Sequence, residues 1–443
     1  MFWQYDQWQN AFLIQLFAII IAFIVGKKNG IKNLDIFLAI ALVSPVALFL
    51  VSSGVAGAIF LSDIVALVFL FQKQPKHSKN TIVKFAFILY LGWPLIATLI
   101  ANIYGVFSIG DVIFENKLIV IHFFRFFLYY TLFSKLTNST YFTKEYLIKL
   151  FKVQIVMLLF VFTAILLGYL DIVKVDAWNQ LIDSLNDSSI GRGGMFLYRG
   201  GVGTLGTITI PIAYFIFSNT TGLYKILSGI LIFIVFASIL FSGSRQGISF
   251  AILSFILSVI YFSSVKNTFQ IAIVAGLMLF VLFKNEAIVK TGDWVINRYA
   301  LFLDNDVSYF EELESRNFSI EEAELNKKDL IYEIVGYGFG GKIHSTESDY
   351  YNTYSYFGIV GFIIYIIFIF KIGFQIYLNK KKAPKKLKPL LTLPLILILV
   401  MPLFGIQQWF IMSHGSNNSM NIYLLLFLFT IGFRVSKIGR DVN

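Results

Sequence analysis

Residues 358–370 have the sequence GIVGFIIYIIFIF, in which nearly every position is apolar. A strand of a membrane β-barrel would alternate apolar and polar residues. A continuous apolar run instead fits a membrane helix, because lipid offers the backbone no hydrogen-bond partners and a helix satisfies them internally. About 20 such residues cross the ~30 Å hydrocarbon core. Similar runs recur along the chain, so the sequence predicts an all-α polytopic membrane protein.

The overall composition excludes a soluble globular protein. Of 443 residues, 57% are hydrophobic and 14% are charged, and the mean hydropathy is +0.76. Soluble domains carry roughly a quarter charged residues, so this chain has too few to cover a water-facing surface. The chain contains no cysteine, which excludes disulfides, thiolate metal sites and cysteine nucleophiles. The first apolar run lacks the basic start of a cleaved signal peptide and is expected to be a retained anchor.

About 12–13 transmembrane helices are predicted, with runs 34–51 and 55–71 forming a short pair. The predicted spans are residues 8–25, 34–51, 55–71, 84–102, 117–134, 149–169, 203–218, 225–241, 247–264, 268–284, 350–370, 389–410 and 418–434. The chain thus divides into three parts. The parts are residues 1–284 with ten helices and a loop at 170–202, a large loop at 285–349, and residues 350–443 with three helices and a tail.

The lysines predict the orientation of this bundle. The chain has a formal charge of +11, and most of its lysines cluster in alternate loops and at the C-terminus. The clustered residues are Lys27, Lys28, Lys32, Lys73, Lys76, Lys79, Lys84, Lys135, Lys144, Lys149, Lys152, Lys380, Lys381, Lys382, Lys385, Lys386, Lys388, Lys437 and Arg440. Positive loops stay cytoplasmic, which places the C-terminus inside and residues 170–202 and 285–349 outside. Because topology explains the basic charge, nucleic acid is not expected as a partner.

The outer loop at 285–349 is the one clear shift in composition. It mixes acidic and basic residues with aromatic ones, and Ser319-Ile-Glu-Glu322 fits a capping box. An amphipathic helix from about 320 to 334 is therefore expected. The aromatic content predicts that the loop folds against the mouth of the bundle.

Two arginine-containing stretches are candidate anion sites. Arg192 and Arg199 lie in the glycine-rich stretch GRGGMFLYRGGVG, and Arg245 lies in SGSRQG between two apolar runs. Glycine allows close approach of backbone amides to an anion, and arginine binds phosphate oxygens through two parallel bonds. The alternatives are interfacial arginines in a solvated turn for the first stretch and a helix-capping turn for the second.

A third stretch, where the chain re-enters the membrane, carries candidate bases. His344, Glu347 and Asp349 cluster there, and a half-desolvated carboxylate or imidazole can act as a general base. Alternatively, Thr346-Glu-Ser-Asp349 forms a capping box that complements the helix dipole. The glycines at 336, 338 and 341 match a dinucleotide-binding spacing, but no strand–turn–helix unit surrounds them.

Two further polar residues lie within a predicted span, and no set suits a metal. His122 and Arg125 are one helical turn apart and should both point into the bundle, where a structural polar contact or a lipid headgroup contact is favoured. The three candidate bases would need another ligand to hold a metal. The cations expected on the outer face suit an anionic lipid-linked headgroup such as a pyrophosphate. They are Arg192, Arg199, Arg245, Arg298, Arg316 and Lys342.

The ordered set of motifs resembles the superfamily of O-antigen polymerases and O-antigen ligases of bacterial envelopes. Its members here are Arg199-Gly-Gly-Val-Gly, Ser244-Arg-Gln-Gly247, and Glu347-Ser-Asp-Tyr-Tyr followed by Gly358-Ile-Val-Gly361. Ligases carry a histidine eleven positions before the first glycine of the last motif, where this chain has Glu347. The resemblance is therefore closer to a polymerase of O-antigen or capsule repeat units.

The resemblance implies a metal-independent glycosyltransferase without cofactors at the outer face of the bacterial inner membrane. A hydroxyl of an incoming lipid-linked repeat unit would attack the anomeric carbon of a glycan on undecaprenyl pyrophosphate. Glu347 is expected as the base, with Arg199 and Arg245 at the pyrophosphate. A chain-length regulator is a candidate partner. The alternatives are an O-antigen ligase, a lipid-linked oligosaccharide transporter and a peptidoglycan-type polymerase.

Overall fold

In the residues that it describes, a computed structural model of the chain is helical apart from one antiparallel pair of short strands and the turns. It describes residues 8–45, 47–50, 58–72, 81–103, 116–138, 143–169, 199–242, 245–262, 330–340, 349–404 and 416–438. Within these ranges, five helical stretches are long and apolar enough to cross a membrane, which confirms a multi-pass helical membrane protein. They are Thr81–Ala101, Lys144–Leu167, Gly201–Asn219, Leu223–Phe241 and Asn352–Lys382.

The elements follow the predicted spans closely in most of the chain. In chain order they are α1 (Trp8–Lys28), α2 (Asn33–Ala41), β1 (Ala47–Leu50), β2 (Ala58–Phe60), α3 (Leu61–Phe71), α4 (Thr81–Phe87), a π-helical turn (Ile88–Gly92), α5 (Trp93–Ile103), α6 (Asn116–Asn138), α7 (Lys144–Tyr169), α8 (Arg199–Asn219), α9 (Leu223–Phe241), α10 (Arg245–Phe262), α11 (Leu330–Val335), a 3₁₀ turn (Gly338–Gly340), α12 (Asp349–Lys382), α13 (Lys388–Phe404) and α14 (Ser416–Ile438). The predicted span 268–284 lies outside the described residues, as does most of the loop 285–349.

The predicted spans 34–51 and 55–71 are wrong as continuous helices. Each is a short helix joined to a strand, and β1 pairs antiparallel with β2. The first helix ends because Pro45 has no amide to donate and disfavours helical geometry at the residue before it. The second helix begins only at Leu61, where the Asp63 carboxylate accepts a 2.9 Å hydrogen bond from the Phe60 amide. Strand backbone is tolerated at membrane depth where protein or water satisfies it.

Helices α8, α9 and α10 form a compact unit in which α8 and α10 run in the same direction. The Ser254 hydroxyl of α10 donates a 3.0 Å bond to the Thr207 carbonyl of α8, and both residues lie in the middle of their helices. Further along, Tyr214 of α8 packs on Phe255 and Phe262 of α10. Because these contacts advance together along both helices, the first residues of α8 and α10 lie at the same end of the bundle.

Two lysines at helix ends contact the ends of other helices. The Lys135 ammonium at the end of α6 donates to the Gln72 carbonyl just after α3. Lys380, at the end of α12, lies 4.6 Å from the ring centroid of Tyr261 at the end of α10. These contacts join only helix ends that the charge pattern assigns to the inside. Which side of the membrane they face stays a prediction.

Helix α12 contains a sharp reversal at Gly358, which has φ 63° and ψ −172°. In a straight helix, Tyr350 and Tyr365 would be separated by about 22 Å. Their ring centroids are instead 5.7 Å apart, and the Tyr350 hydroxyl donates a 2.5 Å bond to the Pro402 carbonyl of α13. Residues 349–357 therefore fold back against residues 359–382. The predicted span 350–370 is thus a re-entrant segment followed by a long helix, and not one straight helix.

The end of the large loop docks onto this reversal. Residues 330–340 contain α11 and the 3₁₀ turn, and they pack against α5, α6 and α12. This short stretch therefore packs on the bundle, and the folding of the whole loop against the bundle mouth stays a prediction. Of the amphipathic helix expected from about 320 to 334, the described part is α11, and the remainder lies outside the described residues.

Candidate functional site

Two of the predicted pyrophosphate-binding arginines each begin a helix, and these two helices pack against each other. Arg199 is the first residue of α8, and Arg245 is the first residue of α10. These two helices run in the same direction and pack closely, so both arginines begin helices at the same end. The free amides of a helix start favour an anion, and here two such starts are adjacent. This arrangement suits a bound phosphate group.

Asp349, one of the predicted bases, is the first residue of the re-entrant segment of α12. Its neighbour Tyr350 reaches Pro402 of α13, and α13 packs against both α8 and α10. The start of α12 thus lies against the helix that also contacts the two arginine-bearing helices. Because the segment folds back from Gly358, its start lies beside Tyr365 on the second part of α12.

The other predicted site residues fall outside the part of the chain that the structure describes. These residues are Arg192, Arg298, Arg316, Lys342, His344 and Glu347. Glu347 precedes the first residue of α12 by two positions along the chain. Within the described residues, no group of three or more histidines or acidic residues is placed to hold a metal ion.

The chain matches no protein-family model and no curated protein. The resemblance to envelope glycan polymerases and ligases therefore rests on the motifs quoted from the sequence. The geometry of the described residues has to be interpreted through its own chemistry.

A buried ionic cluster lies between three helices of the described residues. The Asp63 carboxylate accepts a 2.8 Å hydrogen bond from the Tyr423 hydroxyl and a 2.9 Å bond from the Phe60 amide. The Arg125 Nε lies 3.9 Å from the same carboxylate. Exposure of Asp63 is 5%, and that of Arg125 is 2%. The cluster joins α3, α6 and α14, so it fixes the broken pair of short helices to the main bundle.

The inward orientation predicted for His122 and Arg125 is confirmed. His122 is buried, and its ring lies 5.6 Å from the ring of Phe339 in the docked loop end. Arg125 makes a structural polar contact, as the sequence favoured, and its partner is Asp63. Sequence reasoning overlooked that partner, although an acidic residue within a predicted span is itself a signal of a buried polar site.

Phe339 covers this region from the side of the docked loop. Its ring packs edge-on against Phe123, Phe126 and Phe357, and its amide donates a 3.0 Å bond to the Thr98 hydroxyl. Phe126 and Tyr423 both contact Tyr129, with ring separations of 5.8 and 4.8 Å. A continuous aromatic layer therefore connects the docked loop end to the ionic cluster below it.

Proposed function

We propose that the protein polymerises undecaprenyl-pyrophosphate-linked repeat units into O-antigen or capsular polysaccharide at the outer face of the bacterial inner membrane. The observation that carries the proposal is the order of three motifs along the chain. These are Arg199-Gly-Gly-Val-Gly, Ser244-Arg-Gln-Gly247 and Glu347-Ser-Asp-Tyr-Tyr with Gly358-Ile-Val-Gly361. The helix geometry is compatible with it, because the arginine motifs open two adjacent helices that run in the same direction.

In the proposed reaction, a hydroxyl of the incoming lipid-linked repeat unit attacks the anomeric carbon of the growing glycan. A carbon–oxygen bond forms there, while the bond from that carbon to the pyrophosphate oxygen breaks. Undecaprenyl pyrophosphate leaves with the electron pair, and the arginines Arg199 and Arg245 stabilise its developing charge. Glu347 accepts the proton of the attacking hydroxyl. The other cations and bases predicted for the outer face are secondary candidates for these two roles. A chain-length regulator is the candidate partner protein.

The test is glycan display by a deletion strain complemented with Glu347→Gln, Arg199→Ala or Arg245→Ala. Each variant should leave single repeat units on the carrier or core, because polymerisation stops while export continues. Matched controls remove the same kind of group at the lysine-bearing end of the bundle. Glu145→Gln in the first turn of α7 and Lys381→Ala at the end of α12 should keep full-length glycan. Long glycan accumulating on undecaprenyl pyrophosphate would instead indicate the ligase alternative.

A lipid-linked oligosaccharide transporter is the second candidate, and the region around Asp63 favours it. Secondary carriers use broken helices and charged groups near the middle of the membrane. Here α2 and α3 are short helices joined by a hairpin, and the Asp63–Arg125 pair lies at the start of α3. Purified protein in vesicles separates the two functions. Transbilayer movement of a fluorescent lipid-linked oligosaccharide without lengthening of its glycan would overturn the polymerase proposal.

A further inference from the structure

The reversal in α12 leaves backbone groups that the helix itself no longer satisfies. A helix broken at Gly358 frees carbonyls on the turn before the break. The Ser355 carbonyl accepts a 3.0 Å bond from the Tyr337 amide of the docked loop end. The Phe357 carbonyl accepts a 2.8 Å bond from the Trp93 indole nitrogen. Two separate parts of the chain thus satisfy the broken turn.

The docked loop end approaches α12 and α5 so closely that their backbones are in contact, and glycines occupy the positions of closest approach. A Cβ at Gly336 would lie 2.5 Å from the amide nitrogens of Phe357 and Gly358. A Cβ at Gly358 would overlap the Ile334 carbonyl, and one at Gly338 would overlap the Thr98 backbone. All three glycines have positive φ, between 63° and 81°, which other residues rarely adopt.

Trp93 owes its position to a local irregularity of its own helix. The next residue, Pro94, has no amide to donate, and the preceding turn widens into a π-helical turn. The Trp93 amide accordingly donates to the Ile88 carbonyl, five residues back. π-helical turns of this kind occur frequently at functional sites.

We propose that Gly336, Gly338, Gly358, Trp93 and Thr98 form a latch that positions the re-entrant segment for the glycosyl-transfer reaction. The inference rests on the proposed function, because the segment begins at Asp349, one of the candidate bases for that reaction. The latch holds residues 349–357 folded back against residues 359–382, and so fixes the backbone position at which this segment begins. Its members are positioning residues, because they act on the backbone of α12.

A distance measurement tests the latch independently of activity. The chain has no native cysteine, so spin labels at Asp349→Cys and Lys381→Cys report the two ends of α12. At 1.5 Å per residue, a straight helix would separate these positions by about 48 Å, whereas the folded-back segment should give about 25 Å. Gly358→Ala removes the residue that permits the reversal and should shift the distance to the longer value. Gly373→Ala in the same helix is the matched control, since its Cβ would make only ordinary contacts at 3.4 Å.

Persistence of the short distance in Gly358→Ala, or an equal lengthening in Gly373→Ala, would overturn the latch. If Gly358→Ala yields no folded protein, Trp93→Phe decides, because it keeps an aromatic ring and removes only the indole donor. Its turnover with a purified lipid-linked repeat unit should fall about tenfold, roughly the effect of one lost hydrogen bond, with KM unchanged. Trp8→Phe at the start of α1 serves as its control. Unchanged turnover in Trp93→Phe, or a loss that appears only in KM, contradicts the positioning role.

The two proposals fail in different ways. If the distances behave as expected but Glu347→Gln keeps full polymerisation, the latch stands and the assigned reaction is wrong. If Glu347→Gln abolishes polymerisation while Gly358→Ala keeps the short distance, the reaction stands and the latch is wrong.

Discussion

Removing both charges of the Asp63–Arg125 pair should destabilise the protein by less than the sum of the two single removals. At 3.9 Å and an effective dielectric constant of about 20, the attraction between the two charges is about 4 kcal/mol. Arg125→Met leaves the Asp63 charge buried without its counter-ion, which costs about 3–5 kcal/mol of unfolding free energy. Asp63→Asn likewise leaves the Arg125 charge buried without its counter-ion. The double variant should therefore lose about 2–3 kcal/mol less than the sum of the single losses.

The measurement is unfolding of the purified protein in mixed micelles, titrated with a denaturing detergent and followed by tryptophan fluorescence. A third variant, Tyr423→Phe, removes one hydrogen bond to the carboxylate and should cost about 1.5–3 kcal/mol. Tyr130→Phe on α6 is its control and should change stability by less than about 0.5 kcal/mol. Strictly additive losses for Asp63 and Arg125, within about 0.5 kcal/mol, would refute the idea that the two charges act as a pair.

Three further outcomes are expected. Gly336→Ala should lower the unfolding free energy by more than Gly222→Ala, because its Cβ would overlap the backbone of Phe357 and Gly358. Gly222 has φ 66° and open space around it, so Gly222→Ala should lose only about 1–3 kcal/mol, the cost of its backbone conformation. Equal losses in thermal unfolding would show that backbone contact is not the cause. Ser254→Ala should lower the unfolding free energy by about 0.5–1.5 kcal/mol, because it removes one buried bond between α8 and α10, and no loss would argue against their close packing. In intact cells, a cysteine at Asn186 should react with an impermeant maleimide and one at Lys382 should not, and the reverse pattern would invert the predicted topology.

Most of the helical architecture was predictable because apolar runs of sufficient length have few alternatives in a membrane. The helices α1, α7 and α9 begin and end within a few residues of the predicted bounds. The hairpin between α2 and α3 was missed, since its strands are as apolar as a helix and composition alone does not separate the two. Pro45 was the available signal for that break.

The site was less predictable, because its geometry depends on contacts between distant parts of the chain. The arginine motifs could be assigned to helix starts from local sequence, and both do open helices. The turn before Gly358 is bonded to the rest of the bundle through Trp93 and Phe357, which are 264 positions apart in the chain. Asp63 and Tyr423 are separated by 360 positions, so no local pattern could pair them.

The reversal at Gly358 also has a consequence for biogenesis. During membrane insertion, α12 enters as a continuous apolar stretch, and its carbonyls are best satisfied by staying helical. The docked loop end, residues 330–340, is synthesised just before α12. Trp93, in contrast, lies in α5, which is inserted much earlier. The bend therefore completes only after α5 and α12 have met within the bilayer. Folding of this protein should therefore include a rearrangement inside the membrane that follows the insertion of both α5 and α12.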